Sequence, residues 1–184
     1  HASQACLAIA EAAGAVRGKA ALVPPKLRST EQEEARATLR AWGLGEDAFL
    51  VGINMNAGEF ALRRAWPPEK FIVLAQRLED RGCKTVFVGG AGEELYVTRH
   101  VKHMEAKPVN LAGRTSVRQL AAILAEMKFL VTNDSGPLHL AAGEWLESGG
   151  GSDLGQIAAH FEAGGDRGKA ASLFARAARQ TLAN

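Results

Sequence analysis

Cysteine is scarce in this chain: Cys6 and Cys83 stand far apart, and neither has metal-ligand spacing to another residue. That excludes a disulfide scaffold and reads as a reduced, cytoplasmic protein. Long apolar runs are also missing. None approaches the roughly 20 residues that span a bilayer, so no transmembrane segment is expected. Charge of one sign is lacking too. A net charge of +2 argues against bulk electrostatic binding to nucleic acid, while leaving room for a local basic site. His100 and His103 lie three apart without a third ligand at metal spacing, so they are expected at the surface and no metal site is expected. An initiator methionine is absent as well. His1-Ala-Ser-Gln opens inside a helix-like pattern, so the chain is expected to be a piece of something longer.

What is present is ordinary for a globular protein, with 47% hydrophobic and 23% charged residues. A length of 184 residues suffices for one sizeable domain and a small appendage. Residues 2–14 read as an Ala-rich helix closed by Gly14, and the prolines of Ala20-Ala-Leu-Val-Pro-Pro25 make an extended linker. Thr30 and Glu33 offer a capping box for a helix that runs to about Trp42. Four short apolar runs follow, near 49–54, 84–88, 109–111 and 128–132, each succeeded by a helical pattern. The alternation predicts an α/β fold with a Rossmann-like parallel sheet, the first run central. Ligands then belong at the carboxyl ends of the strands.

The chemistry-bearing residues fall at those ends. Asn133-Asp-Ser-Gly-Pro137 joins the last strand to a helix. Asp134 or Ser135 can cap that helix, Pro137 suits its first position, and Gly136 lets a ligand approach the backbone. Exposed amides at such a helix start attract phosphate, and His139 lies about one turn in. The loop after the first strand carries Asn56, Gly58, Arg63 and Arg64 before Trp66-Pro-Pro68. Guanidinium groups there suit a phosphate or carboxylate, although arginines on a loop are often only solvated. Gly89-Gly-Ala-Gly92 precedes Glu93 and Glu94; glycines at this crossing allow close approach, but they do not form a GxGxxG fingerprint. In Leu111-Ala-Gly-Arg-Thr-Ser116, Ser116 reads as the N-cap of a helix whose buried face is Leu120, Ile123, Leu124 and Met127.

Asp134-Ser-Gly-x-x-His139-Leu together with Arg64-Ala-Trp-Pro resembles the heptosyltransferase-like glycosyltransferases of family 9, over about residues 1–142. The resemblance implies the C-terminal, nucleotide-sugar half of a GT-B glycosyltransferase. It implies a donor site at Asn56, Arg64, Glu93 or Glu94, Thr115, Asp134, Ser135, Gly136 and His139. The glutamate would hold ribose hydroxyls, Thr115 would lie in the loop beside the base, and Arg64 and the Ser135 and Gly136 amides would face the diphosphate. The expected partner is a nucleotide-diphospho-sugar, an ADP-sugar first, with transfer by direct displacement to a lipopolysaccharide-type acceptor. Neither a cofactor nor nucleic acid is expected, and membrane association only through the acceptor. The catalytic base would lie in an N-terminal acceptor domain, so binding rather than turnover is expected of this chain alone. Relatives commonly carry Lys at the Arg64 position and Ser or Thr earlier in that loop, where this chain has Gly58 and Glu59.

The family pattern breaks at Gly143. The organisation read from the sequence is a helical linker region at 1–44, a nucleotide-sugar-binding domain at 45–143, a Gly/Ser-rich joint at 144–152 and an αα-hairpin at 153–184. Leu154, Ile157, Ala158 and Phe161, with Ala170, Phe174 and Ala177, resemble one tetratricopeptide repeat, or an ordinary amphipathic hairpin. Its exposed stripe makes a homodimer an expectation. Two other readings remain open: a helical-repeat interaction module on an inert α/β base, and an engineered or recombined fragment.

Overall fold

The computed structural model describes residues 8–16, 25–56, 65–133, 135–138 and 140–141. Within them lie helix α1 (Ser29–Ala41), strand β1 (Leu50–Asn54), helix α2 (Pro68–Glu79) and strand β2 (Lys84–Phe87). A 3-10 turn (Ala91–Glu93) leads into α3 (Glu94–Val101), followed by β3 (Val109–Asn110), α4 (Val117–Ala125) and β4 (Phe129–Thr132). Residues 8–12 and 136–138 are also helical. The hairpin expected at 153–184 and the joint before it lie outside the described residues.

The sheet is parallel throughout, in the order β3-β2-β1-β4, so β1 is interior as the sequence predicts. Every β1 residue is buried, which its unbroken apolar run requires of a strand covered on both faces. Alternation then sorts side chains to two cores. Leu50, Val86, Val109 and Leu130 pack with Leu39 of α1 and Ile123 and Leu124 of α4. Val51, Ile53, Phe87 and Val131 pack with Phe71 and Ala75 of α2 and Val97 of α3. Helices thus cover both faces, in a doubly wound arrangement. Gly52 faces the first core because a Cβ there would stand 2.5 Å from Met127 Sδ and 2.8 Å from Leu130 Cδ1.

Local signals explain the boundaries. Ser116 accepts from the Gln119 amide at 3.3 Å, and Gln119 Oε1 accepts from the Ser116 amide at 2.9 Å, so this capping box starts α4 as expected. Pro67 and Pro68 begin α2, where missing amides cost nothing. Gly43, in the left-handed region at φ +78°, ends α1. One cap differs from expectation. Helix α1 starts at Ser29, so Glu31 rather than Glu33 turns back, accepting from the Arg28 amide at 2.8 Å. Arg118 holds the same carboxylate at 2.6 and 2.7 Å and also donates to the Lys26 carbonyl at 2.9 Å. That long-range pairing favours the earlier start over Thr30 with Glu33. Cys83 is buried, and burial pushes its thiol upward, as does the negative charge of Glu79.

Candidate functional site

The chain winds outward from β1 to β2 and β3, then crosses to β4 on the other side of β1. The order therefore reverses between β1 and β4. In open α/β sheets the crevice at the carboxyl ends of such a pair is where ligands bind.

Buried polar side chains fill the base of that crevice. Asn54, the last residue of β1, donates through Nδ2 to Ser135 Oγ at 2.8 Å and to Thr132 Oγ1 at 3.2 Å. The two hydroxyls are 3.0 Å apart. Asn133 donates through Nδ2 to the Met55 carbonyl at 2.7 Å, and its Oδ1 accepts from the Trp66 amide at 2.9 Å. Asn54, Thr132 and Asn133 are all buried. Each therefore needs hydrogen-bond partners to offset desolvation, and the crevice walls supply them.

Ser135 differs from one of its expected roles. Its hydroxyl turns inward to Asn54 and Thr132 rather than capping the helix; the turn is closed instead by the Leu138 amide donating to the Ser135 carbonyl at 3.1 Å. The pull of a buried amide donor outweighs the cap. Residue 136 is already helical, so Pro137 sits one position later than expected. Gly136 is exposed, and a Cβ built there meets nothing within 4 Å. Packing does not demand glycine at that position.

A second group gathers beyond β2. Glu93 Oε1 accepts from Asn56 Nδ2 at 2.6 Å, and Oε2 accepts from the Gly90 amide at 2.9 Å. Asn56 lies two residues beyond the end of β1, so this carboxylate is tied to the crevice. Glu94 points elsewhere, pairing with Arg114 at 3.0 Å. The structure thereby separates two residues the sequence left equivalent. A side chain at Gly89 would meet the Glu93 carboxylate and Ala112, so the glycine makes room for Glu93 rather than for an incoming ligand. Gly113 is left-handed at φ +74°, and a Cβ would press on Glu94 Cβ and the Ala91 carbonyl. It brings the loop bearing half-buried Thr115 against the Gly89–Glu94 segment, with the Gly113 amide donating to the Gly89 carbonyl at 3.1 Å. Burial, then the negative charges of Glu69 and Glu93, push the Tyr96 hydroxyl upward. His100 Nδ1 donates to the Tyr96 carbonyl at 2.8 Å, a local surface contact.

Arg64, Asp134 and His139, with Gly58, Glu59 and Arg63, lie outside the described residues. Asn56, Glu93, Thr115, Ser135 and Gly136 all fall at the carboxyl edge of the sheet, Glu93 closing the 3-10 turn and Gly136 in the first turn of a helix. The motif reading passed over Asn54, Thr132 and Asn133. Their signal was present: each is a polar residue closing an apolar strand run, where solvent would not satisfy it.

Comparison with known proteins gives a consistent result. The family model described as "Glycosyltransferase family 9 (heptosyltransferase)" matches residues 11–143. Lipopolysaccharide heptosyltransferase 2 of Escherichia coli (strain K12) is 32% identical over 126 residues, covering 66% of this chain and 35% of that protein. Lipooligosaccharide heptosyltransferase 2 of Haemophilus influenzae is 34% identical over 100 residues, covering 50% of this chain and 28% of that protein. The chain thus spans about a third of the length of these curated relatives. Among solved structures, a family 9 glycosyl transferase from Veillonella parvula superposes with a TM-score of 0.67 at 28% identity, covering 78% of this chain and 41% of that one. The E. coli ADP-heptose LPS heptosyltransferase II superposes at 0.56 with 27% identity, covering 66% of this chain and 37% of that one.

Proposed function

Because this chain belongs to glycosyltransferase family 9, the heptosyltransferase family, we propose that its β1–β4 crevice binds the nucleotide-diphosphate part of an activated sugar. The observation that carries this reading is the convergence of three elements at the switch point. They are the Ser135–Gly136 turn opening a helix, the Asn54–Thr132 pair beneath it, and the Glu93 carboxylate held by Asn56. Backbone amides at the turn favour phosphate oxygens, with Arg64 as the charge partner for the leaving diphosphate. His139 donates to a phosphate or sugar oxygen, and Asp134 accepts from sugar hydroxyls or orients its loop. Glu93 accepts from ribose hydroxyls, Thr115 lies beside the base, and Glu94 serves the surface pair with Arg114.

An ADP-sugar is the favoured donor, since one solved relative is named for ADP-heptose. A lipopolysaccharide-type acceptor would be met by a further domain that also brings the base, so this chain alone binds without turning over. Among the described residues no helix is long and apolar enough to cross a membrane; the site operates in the cytoplasm, with membrane contact through the acceptor. We assign residues 1–44 to a linker region, 45–143 to the binding domain, 144–152 to a joint and 153–184 to a helical hairpin whose apolar stripe would be covered within the chain or by a second copy.

A thermal-shift panel of ADP, GDP, UDP and ADP-sugars tests the reading. Ligand at about a hundred times Kd should add about 2.7 kcal/mol of stability, an easily read rise in melting temperature. No rise with any of them at millimolar concentration, alongside tight binding of a peptide partner, would replace this reading with that of an interaction module on an inert base.

A further inference from the structure

Asn133 is 1% exposed, and both its side chain and its carbonyl bond within the crevice. Its side chain spans two backbone groups from one distant segment: it donates to the Met55 carbonyl at 2.7 Å and accepts from the Trp66 amide at 2.9 Å. Its own carbonyl accepts from Thr132 Oγ1 at 2.8 Å and Ser135 Oγ at 3.1 Å. The orientation of the carboxamide is fixed by its partners, since a carbonyl must face the NH₂ and an N–H must face the oxygen. Met55 is the first residue after β1, and Trp66 stands just before Pro67, the N-cap of α2. One buried amide thus ties the exit of β1, the entry to α2 and the Ser135 turn into a single unit.

We infer that Asn133 is a positioning residue for the diphosphate half of the donor site. It sets the start of α2 and the exit of β1 in register with the Ser135–Gly136 turn, so that the turn is held in place for the proposed pyrophosphate. The inference rests on the nucleotide-sugar reading above. The carboxylate assigned to the ribose has a second hold: Glu93 accepts from the Gly90 amide at 2.9 Å as well as from Asn56 at 2.6 Å, so one anchor lies outside the segment that Asn133 ties. Losing Asn133 should therefore harm phosphate binding more than nucleoside binding.

The test uses the full chain, with ADP and adenosine as probes in calorimetry and with amide hydrogen exchange at Trp66. Asn133→Ala removes both side-chain bonds. Asn133→Asp has nearly the same volume, keeps an acceptor for the Trp66 amide and loses the donor to Met55. We expect Asn133→Ala to weaken ADP by about tenfold or more, since buried hydrogen-bonded groups carry that order of effect, and to change adenosine by less than about threefold. Trp66 exchange should accelerate in Asn133→Ala and stay slow in Asn133→Asp, while both variants lose ADP affinity. Equal losses for ADP and adenosine, or unchanged ADP affinity in a folded variant, would overturn the assignment. If Asn133→Ala does not fold, Asn133→Ser, which adds no charge beside the diphosphate, decides by the same ADP-to-adenosine split. If the unaltered chain binds neither probe, the nucleotide reading fails, and the tie is judged by exchange alone: unchanged Trp66 protection in Asn133→Ala would dismiss it too.

Discussion

Asn54 and Ser135 stand 81 positions apart in the chain, yet Asn54 Nδ2 and Ser135 Oγ are 2.8 Å apart. With Thr132 they form a triangle of side-chain polar groups under the crevice, closed by contacts of 3.2 and 3.0 Å. The triangle exists because β1 and β4 are paired in register, Asn54 opposite Thr132. Two strand ends that are remote in sequence thus become one polar floor.

A double-mutant cycle measures that floor. Asn54→Ala and Ser135→Ala should each destabilise the domain by about 1–3 kcal/mol, because each leaves a partner group short of a bond. Combined, they should cost less than the sum by about 0.5 kcal/mol or more, as contacting residues do. Urea unfolding of the four proteins checks this, and strict additivity would mean that the two side chains act independently.

Acid should loosen the attachment of α1. The Arg118 guanidinium, and then the Arg28 amide, hold the Glu31 carboxyl at about 2 against an ordinary value of 4.5. A depressed folded value means that the pairing stabilises the protein above about pH 4.5 and that this contribution drains away as pH falls toward 2. Melting temperature should decline over that window and decline less in Glu31→Gln. Arg118→Ala should flatten the curve in part, since the Arg28 amide still holds the carboxylate, and a Glu31→Gln curve as steep as the parent's would place the acid sensitivity elsewhere.

Much of this architecture was legible in the residues. Unbroken apolar runs such as Leu50–Ile53 gave the doubly covered parallel strands, because a strand buried on both faces has no polar positions to alternate. Prolines and the Ser116 box marked helix starts for local steric and hydrogen-bond reasons. Long-range competition was not legible. The inward turn of the Ser135 hydroxyl depends on Asn54, and the early start of α1 fits its link to Arg118. The choice between Glu93 and Glu94 turned on which of them meets Asn56, which only the sheet order decides.

Arg64→Ala should separate charge from shape in the proposed site. Removing a guanidinium takes away a charge-assisted contact to phosphate, roughly twice as strong as a neutral one. ADP should weaken by about tenfold or more and adenosine by little. Calorimetry with both ligands reads the difference, and equal weakening would show that Arg64 acts through the fold.

Glu93 should show the opposite signature. Its carboxylate is fixed by Asn56 at 2.6 Å and by the Gly90 amide at 2.9 Å, leaving lone pairs for ribose hydroxyls. A glutamine carries only one acceptor oxygen, so Glu93→Gln must face either Asn56 or Gly90 with a donor and lose that bond. The ribose is common to ADP and adenosine, so both should weaken together, by about tenfold for a lost charged hydrogen bond of roughly 1.5 kcal/mol. Glu94→Gln is the matched control. Glu94 spends its charge on Arg114 at the surface, where an exposed pair contributes only about 0–1 kcal/mol. That variant should bind both ligands as the parent does. A larger effect from Glu94→Gln than from Glu93→Gln would reverse the assignment and move the ribose contact to the Arg114 side of the loop.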